Sequence, residues 1–175
     1  MATEDSRLFL HLYDDEMQEK SRMDSRVTVY IAALTVAGGV LGFLFQNEWP
    51  VATDPLRIAS LVSSSLSVIV FVFAGVYVVR AYVGYTHRRL PLPNEILKFR
   101  TELLTYHERT HSSETAALQD FENYLSRKLA DATARNSRNN ITRSTYYHRA
   151  SVAIVVGLVL AAISGVLLAI NTVFK

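Results

Sequence analysis

The stretch "IASLVSSSLSVIVFVFAGVYVV" (58–79) carries no charged side chain and no histidine. A helix of about 20 residues crosses the hydrocarbon core of a bilayer, because only an internally hydrogen-bonded backbone is stable without water. Two further apolar runs, 27–46 and 151–174, likewise carry no charged side chain and no histidine. Charges stop abruptly at the ends of all three runs, whereas buried helices of a soluble bundle would show polar residues at a 3.6-residue period. The sequence therefore predicts an all-α integral membrane protein with three transmembrane helices.

The composition of the whole chain agrees with this class. Half of the 175 residues are hydrophobic and 19% are charged, below the roughly 25% of a typical soluble domain. The formal net charge of +2 is too small to indicate nucleic-acid binding. The absence of cysteine excludes disulfides, thiolate metal sites and cysteine nucleophiles. We expect no cofactor and no nucleic-acid partner, and the lipid bilayer as the main environment.

Basic residues cluster at one end of the apolar runs, and they set the orientation. The loop 47–57 between the first two runs has two acidic residues and one arginine, whereas arginines precede the first run, follow the second and precede the third. Positively charged flanks stay in the cytoplasm. We therefore expect a multi-pass protein of the bacterial inner membrane with a cytoplasmic N-terminus and an external C-terminus. The arginines predicted to contact lipid head groups are Arg80, Arg88, Arg89, Arg135, Arg138, Arg143 and Arg149.

The charge and proline pattern divides the chain into four parts. Residues 1–26 are predicted as an N-terminal cytoplasmic amphipathic helix, and 27–84 as a transmembrane hairpin with spans 27–46 and 58–79. Residues 85–148 form a cytoplasmic helical segment that we expect to fold as a hairpin, and 149–175 the third transmembrane helix.

The cytoplasmic segment carries its own helix boundaries. Pro91 and Pro93 end the preceding helix, and Asn94 is the predicted N-cap of the next. Ser113 is the predicted cap of a further helix that continues into the third span. Further along that helix, the apolar stripe is replaced by polar residues. They indicate either a buried seam that fixes the register between helices or a solvated turn whose side chains face lipid head groups. These residues are Asn136, Asn139, Asn140 and Arg143.

Small residues recur at helical spacing inside the spans. Such residues let two helix backbones approach closely in lipid, and they predict helix packing and a homo-oligomer. They are Gly38 and Gly42 in the first span, and Gly157, Ala161, Gly165 and Ala169 in the third. In the second span Ser60, Ser64 and Ser67 share one face. This face either lines a polar path or has hydroxyls that bond back to carbonyls four residues earlier, and we favour the second interpretation.

The segment "HERTH" (107–111) matches the zinc-protease pattern H-E-x-x-H. His107 and His111 would be the metal ligands one helical turn apart, with Glu108 as the general base. The same helix face carries Ile96 and Leu103, so packing alone explains both rings, and no third ligand is singled out by spacing. We expect no metal and no enzyme here, with a small membrane zinc metalloprotease as the alternative.

The order of parts resembles the SLATT group of bacterial conflict-system membrane effectors. The resemblance covers a charged N-terminal helix, a two-span hairpin with a short outer loop (20–90) and the cytoplasmic helices that follow. The third span, 151–174, is additional to that pattern. The resemblance implies a protein that oligomerises and damages the membrane when a partner enzyme signals.

These features together predict a non-enzymatic, oligomeric membrane protein. Its cytoplasmic helices would receive a protein partner or a signal, and its spans would perturb or permeabilise the membrane. Besides the metalloprotease, a structural subunit of a larger membrane complex is the remaining alternative.

Overall fold

The computed structural model describes residues 4–48, 54–111 and 113–173, which form helices and short connecting segments with no strand among them. Residues 49–53 of the predicted outer loop lie outside the described residues. The helices are α1 (Glu4–Glu48), α2 (Pro55–Tyr82), α3 (Pro93–Arg109) and α4 (Glu114–Val173). Three of them, α1, α2 and α4, are long and apolar enough to cross a membrane. The prediction of an all-helical protein with long apolar helices is confirmed.

Two helix junctions follow the local chemistry of their sequences. Pro55 opens α2, and the Asp54 carboxylate accepts a hydrogen bond from the Leu56 backbone N–H at 3.0 Å. Proline suits this position because its missing N–H would be unpaired there in any case. Past the other end of α2, Gly84 has a φ of 96°, a conformation that glycine adopts at no steric cost. The chain then runs without regular structure to α3.

The predicted boundaries of α3 and α4 are partly right. Asn94 is not the cap of α3, since the helix already begins at Pro93. The Glu95 carboxylate accepts a hydrogen bond from the Leu92 backbone N–H at 3.1 Å and closes this end. The predicted cap at Ser113 is confirmed, because its hydroxyl accepts from the Ala116 N–H at 3.3 Å. From there α4 runs unbroken through the predicted third span, as expected.

The chain forms two compact units. The first contains residues 1–21 and 85–141, and the second contains residues 22–84 and 142–175. The predicted boundary at residue 26 falls inside the continuous helix α1. In the first unit, the Phe99 and Tyr124 rings pack with centroids 4.2 Å apart, and Leu129 is buried.

The second unit brings together the apolar parts of α1, α2 and α4. Its core consists of Ala37, Leu41, Leu44, Phe71, Ala74, Ile154 and Ala161. Large aliphatic side chains on the outer faces of the same helices are exposed, such as Val36, Val72 and Val159. An apolar outer surface of this kind is costly in water and stable in lipid. The second unit therefore has the surface expected of a membrane-embedded bundle.

Gly157 is the point of closest packing in this core. A Cβ atom added at Gly157 would lie 2.9 Å from the Phe71 ring, nearer than carbon atoms normally approach. At Gly165 the nearest neighbour of such an atom would be the Leu44 Cδ2 at 3.8 Å, an ordinary contact. The two glycines thus differ in what a methyl group would meet.

The substitution Gly157→Ala should lower stability by about 1–3 kcal/mol, because it overpacks the site against Phe71. Gly165→Ala is the matched control and should leave stability unchanged. The measurement is thermal unfolding followed by circular dichroism in detergent. In the Gly157→Ala background, Phe71→Leu should recover part of the loss. Equal unfolding midpoints for the two alanine variants would contradict the packing described here.

Candidate functional site

A group of five serines joins α2 to α4 inside the second unit, and we call it the serine seam. Its members are Ser60, Ser63, Ser64, Ser67 and Ser164. The Ser164 hydroxyl lies 2.8 Å from the Ser60 hydroxyl and 2.7 Å from the Ser64 hydroxyl. Ser60 also donates to the Ser164 carbonyl at 3.1 Å.

Two more hydroxyls of the seam bond to the backbone of α4. Ser63 donates to the Leu160 carbonyl at 2.8 Å, and Ser67 donates to the Gly157 carbonyl at 2.7 Å. A carbonyl oxygen has two lone pairs, so it can accept these bonds in addition to its helical one. Gly157 has no side chain, which leaves its carbonyl open to Ser67. The preferred interpretation of bonding back within α2 did not include these bonds between helices.

Four of the five serines of the seam are enclosed, and the seam carries no charge. Ser60, Ser64, Ser67 and Ser164 have no exposed surface. Burying a hydroxyl without a partner is costly, and each hydroxyl here has one. A bond of this kind inside a membrane is worth about 0.6 kcal/mol on average. Several such bonds make the α2–α4 contact specific without adding any titratable group.

A buried arginine forms a second polar contact in the same unit. Arg143 of α4 is 2% exposed, and its Nε donates to the Ala81 carbonyl of α2 at 2.9 Å. Its Nη2 forms an ion pair with the Asp24 carboxylate of α1. One guanidinium therefore connects all three helices. Arg143 was expected at the lipid head groups, and the structure instead encloses it between helices.

Aromatic residues surround this arginine and extend the contact. The Tyr147 and Tyr30 rings stack with centroids 5.2 Å apart, and Tyr147 is buried. The Tyr30 hydroxyl lies 2.8 Å from the Ser151 hydroxyl. This layer fixes α1 against α4 where the apolar run of α4 begins.

Asparagines of α4 hold the connector between α2 and α3 inside the first unit. The Asn136 side chain accepts from the Arg88 backbone N–H at 2.8 Å and donates to the Arg88 carbonyl at 3.1 Å. Asn139 donates to the Thr86 carbonyl at 3.1 Å. Because the connector has no regular structure, its backbone groups need such partners.

Asn140 binds the connector and α1 at once. Its Nδ2 donates to the Glu16 carboxylate at 2.7 Å and to the Glu16 carbonyl at 3.0 Å. Its Oδ1 lies 3.1 Å from the His87 Nε2. Asn136 is 0% exposed and Asn140 is 3% exposed. The polar stretch of α4 is thus a buried seam, and the alternative of a solvated turn is wrong.

The other predicted arginines are exposed. Arg88 pairs with Asp131, and the Arg149 guanidinium lies over the Tyr146 ring at 6.0 Å. Arg80 is in the last turn of α2. The remaining exposed members of the set are Arg89, Arg135 and Arg138.

The predicted small residues occupy two kinds of place. Gly157, Ala161 and Gly165 face helices of the same unit, as the Phe71 and Leu44 contacts of the two glycines and the burial of Ala161 show. Ala169 is exposed. A Cβ added at Gly38 or Gly42 would have nothing within 4 Å.

The predicted metal pair is not held as the motif requires. Helix α3 ends at Arg109, and His111 lies beyond it with a φ of 54°. The His107 ring, which is 12% exposed, bonds instead to the Asp120 carboxylate at 3.1 Å. Among the residues that the structure describes, no group of three or more histidines and carboxylates is placed to hold a metal ion. The arrangement thus gives no support to the metalloprotease alternative.

The fold and these contacts define an all-helical membrane protein whose apolar helices are joined by internal polar contacts. A family model for the Pycsar effector protein domain, PycTM, matches residues 9–171, and the chain belongs to this family. The family is a bacterial anti-phage effector transmembrane domain, so the chain is a membrane effector of phage defence. No curated protein and no solved structure matches the chain. The SLATT resemblance was right about the general class of effector, but the matching family is a different one.

Arg143→Met should destabilise the protein by about 1–3 kcal/mol, because it leaves the Asp24 carboxylate and the Ala81 carbonyl without this donor. The loss of stability stays small because the Asp24 side chain is 39% exposed, so that solvent screens the ion pair. Thermal unfolding in detergent measures the change.

The matched control is Arg135→Met, which removes an exposed arginine from the same helix and should change stability by less than about 0.5 kcal/mol. Adding Asp24→Asn to Arg143→Met should recover part of the loss, since it removes the carboxylate to which Arg143 was bound. If Arg135→Met and Arg143→Met prove equally stable, the buried ion pair has no structural role.

Proposed function

We propose that the protein self-associates in the bacterial inner membrane and permeabilises it after its cytoplasmic helices receive a signal or a partner. The activity is non-enzymatic. The N-terminus and residues 85–148 face the cytoplasm, and the C-terminus faces outward. The family match and the arginine-rich flanks of the apolar helices support this assignment.

The serine seam is the observation that carries the proposal. In the closed arrangement its hydroxyls bond to one another and to α4 carbonyls. If α2 and α4 separate, water can replace every one of these partners, because hydroxyls and carbonyls bond water as readily as each other. A purely apolar interface would have no such compensation. The seam therefore lowers the free energy of a hydrated, open state.

The outer faces of the same helices restrict how opening can occur. Val62 and Ile69 of α2 are 61% and 52% exposed, and Val155 of α4 is 59% exposed. These faces stay in lipid while the seam faces water. A single chain cannot enclose water in this way, so the open state needs several copies arranged around one path.

The glycines of α1 offer a surface for that assembly. Gly38 and Gly42 line a groove between α1 and α2 together with Leu34, Phe45, Val68 and Val72. Because Gly157 and Gly165 already face side chains of their own chain, the α1 glycines and the exposed Ala169 are the part of the predicted small-residue set left for a second copy. Close approach of backbones at such sites drives helix association in lipid.

Helix α3 supports the reception of a partner. Leu97 and Tyr106 of α3 are 61% and 62% exposed, more than a helix of an isolated soluble unit needs to expose. A partner that covers them would act on the unit that contains the beginning of α4, and α4 continues without a break into the third apolar run.

Dye-filled vesicles test the role of the seam. Purified protein reconstituted into vesicles should release the dye, and the double variant Ser64→Val with Ser164→Val should release it about tenfold more slowly. Valine side chains cannot be hydrated in the open seam as hydroxyls are, and a difference of about 1.4 kcal/mol gives this factor.

Ser65→Val is the matched control, since Ser65 is exposed on the same helix. It should leak as the unchanged protein does. Vesicles that stay tight at every protein density would contradict permeabilisation itself. A double variant that leaks like the control would remove the seam from the path.

Self-association is tested separately by native mass spectrometry in detergent. Gly42→Leu should shift the protein toward monomer by at least about fivefold, because the side chain fills the groove that a second copy would enter. Gly39→Leu makes the same change three residues away, outside the residues that line this groove, and should keep the oligomer. A monomeric starting protein, or equal loss in both variants, would exclude this surface.

A further inference from the structure

The second unit has a groove that combines an apolar wall with a basic end, and the proposed permeation path does not use it. It lies between α2 and α4 and has a volume of about 460 Å³. Its walls are aliphatic, and one end carries polar side chains. The aliphatic residues are Val70, Val152, Ala153 and Val156, and the polar ones are Tyr77, His148 and Arg149.

The polar end presents a cation that is held in place. The Arg149 guanidinium lies 6.0 Å from the centroid of the Tyr146 ring. That ring stacks on Tyr77 of α2, with centroids 6.4 Å apart. Among the described residues, Arg149 has no ion pair, and no carboxylate lines the groove. An anion that enters would therefore meet an oriented, unneutralised guanidinium.

The aliphatic walls lead from this cation into the apolar run of α4. Arg149 precedes the run, and Val152 and Val156 lie within it. At 1.5 Å per residue, Val156 is about 10 Å along the helix from Arg149. The groove thus combines a charged head at the membrane boundary with an apolar wall in the direction of the hydrocarbon core.

We propose that this groove binds one anionic phospholipid. Its phosphate oxygens accept hydrogen bonds from the Arg149 guanidinium and from the His148 imidazole N–H, and an acyl chain lies along Val152 and Val156. Arginine suits this role because its planar group presents paired donors to phosphate. The inference rests on the membrane location in the proposed function and not on permeabilisation.

A second groove of nearly equal size on the same unit shows why the Arg149 charge would select an anionic lipid for the α2–α4 groove. It lies between α1 and α2, has a volume of about 470 Å³, and is also largely aliphatic. Its one charged lining residue is Asp24, whose carboxylate is paired with Arg143 and has no hydrogen-bond donor to offer a phosphate. Apolar shape alone would make the two grooves equivalent, and only the α2–α4 groove has a cation for an anionic head group.

Native mass spectrometry of protein released from nanodiscs tests the proposal. The nanodiscs contain equal amounts of phosphatidylglycerol and phosphatidylcholine. The unchanged protein should retain phosphatidylglycerol in preference to phosphatidylcholine, with one tightly held copy per chain. Arg149→Gln should lower this retention about tenfold, the factor expected for losing a hydrogen bond between charged groups. Arg80→Gln, which removes an exposed arginine outside the groove, should leave it unchanged.

A second pair of variants keeps the arginine and changes the wall. Ala153→Phe fills the groove and should also lower retention, whereas Ala162→Phe, at an exposed position of the same helix, should not. Equal losses in Arg80→Gln and Arg149→Gln would overturn the proposal in favour of diffuse surface charge. Equal retention of the two lipids would overturn it as well. Because retention is read apart from leakage, tight vesicles with retained phosphatidylglycerol would contradict permeabilisation and support the groove.

Discussion

The polar groups that α4 buries need partners inside the protein, because lipid and an apolar core supply none. Three sets of contacts meet this requirement on one helix. Asn136 and Asn140 bind the connector and α1, Arg143 binds Asp24 and Ala81, and Ser164 binds the serines of α2. Together with the buried residues between Arg143 and Ser164, these positions recur at steps of three and four residues, the spacing of one helix face. The same face therefore carries both the apolar core and the contacts that fix which helix lies beside which.

Much of the helical architecture could be predicted from local sequence. The uncharged runs predicted the long apolar helices, and Ser113 predicted the start of α4. The serine bonds had a visible signal, since Ser60, Ser64 and Ser67 follow the same four-and-three spacing as Gly157, Ala161 and Ser164. Back-bonding was preferred only because a sequence does not show which helix faces α2.

Contacts between residues far apart along the chain could not be predicted from the sequence. Arg143 lies in a basic stretch without acidic neighbours, so local charge indicated head groups, whereas its partner Asp24 is far away along the chain. The two histidines of the zinc motif do not lie on one helix face for a local reason, because α3 ends two residues before His111. The order of helices likewise identified a membrane effector but did not distinguish the Pycsar effector domain from a group with similar parts.

The neutrality of the serine seam has a consequence for any path built from it. Hydroxyls and carbonyls present dipoles of both signs, and none of the five side chains titrates. Such a lining has no fixed charge with which to exclude anions or cations, in contrast to channels that carry rings of ionised residues. An infected cell would then lose its ionic gradients together and not one ion at a time, and a shift in cytoplasmic pH would not close the leak.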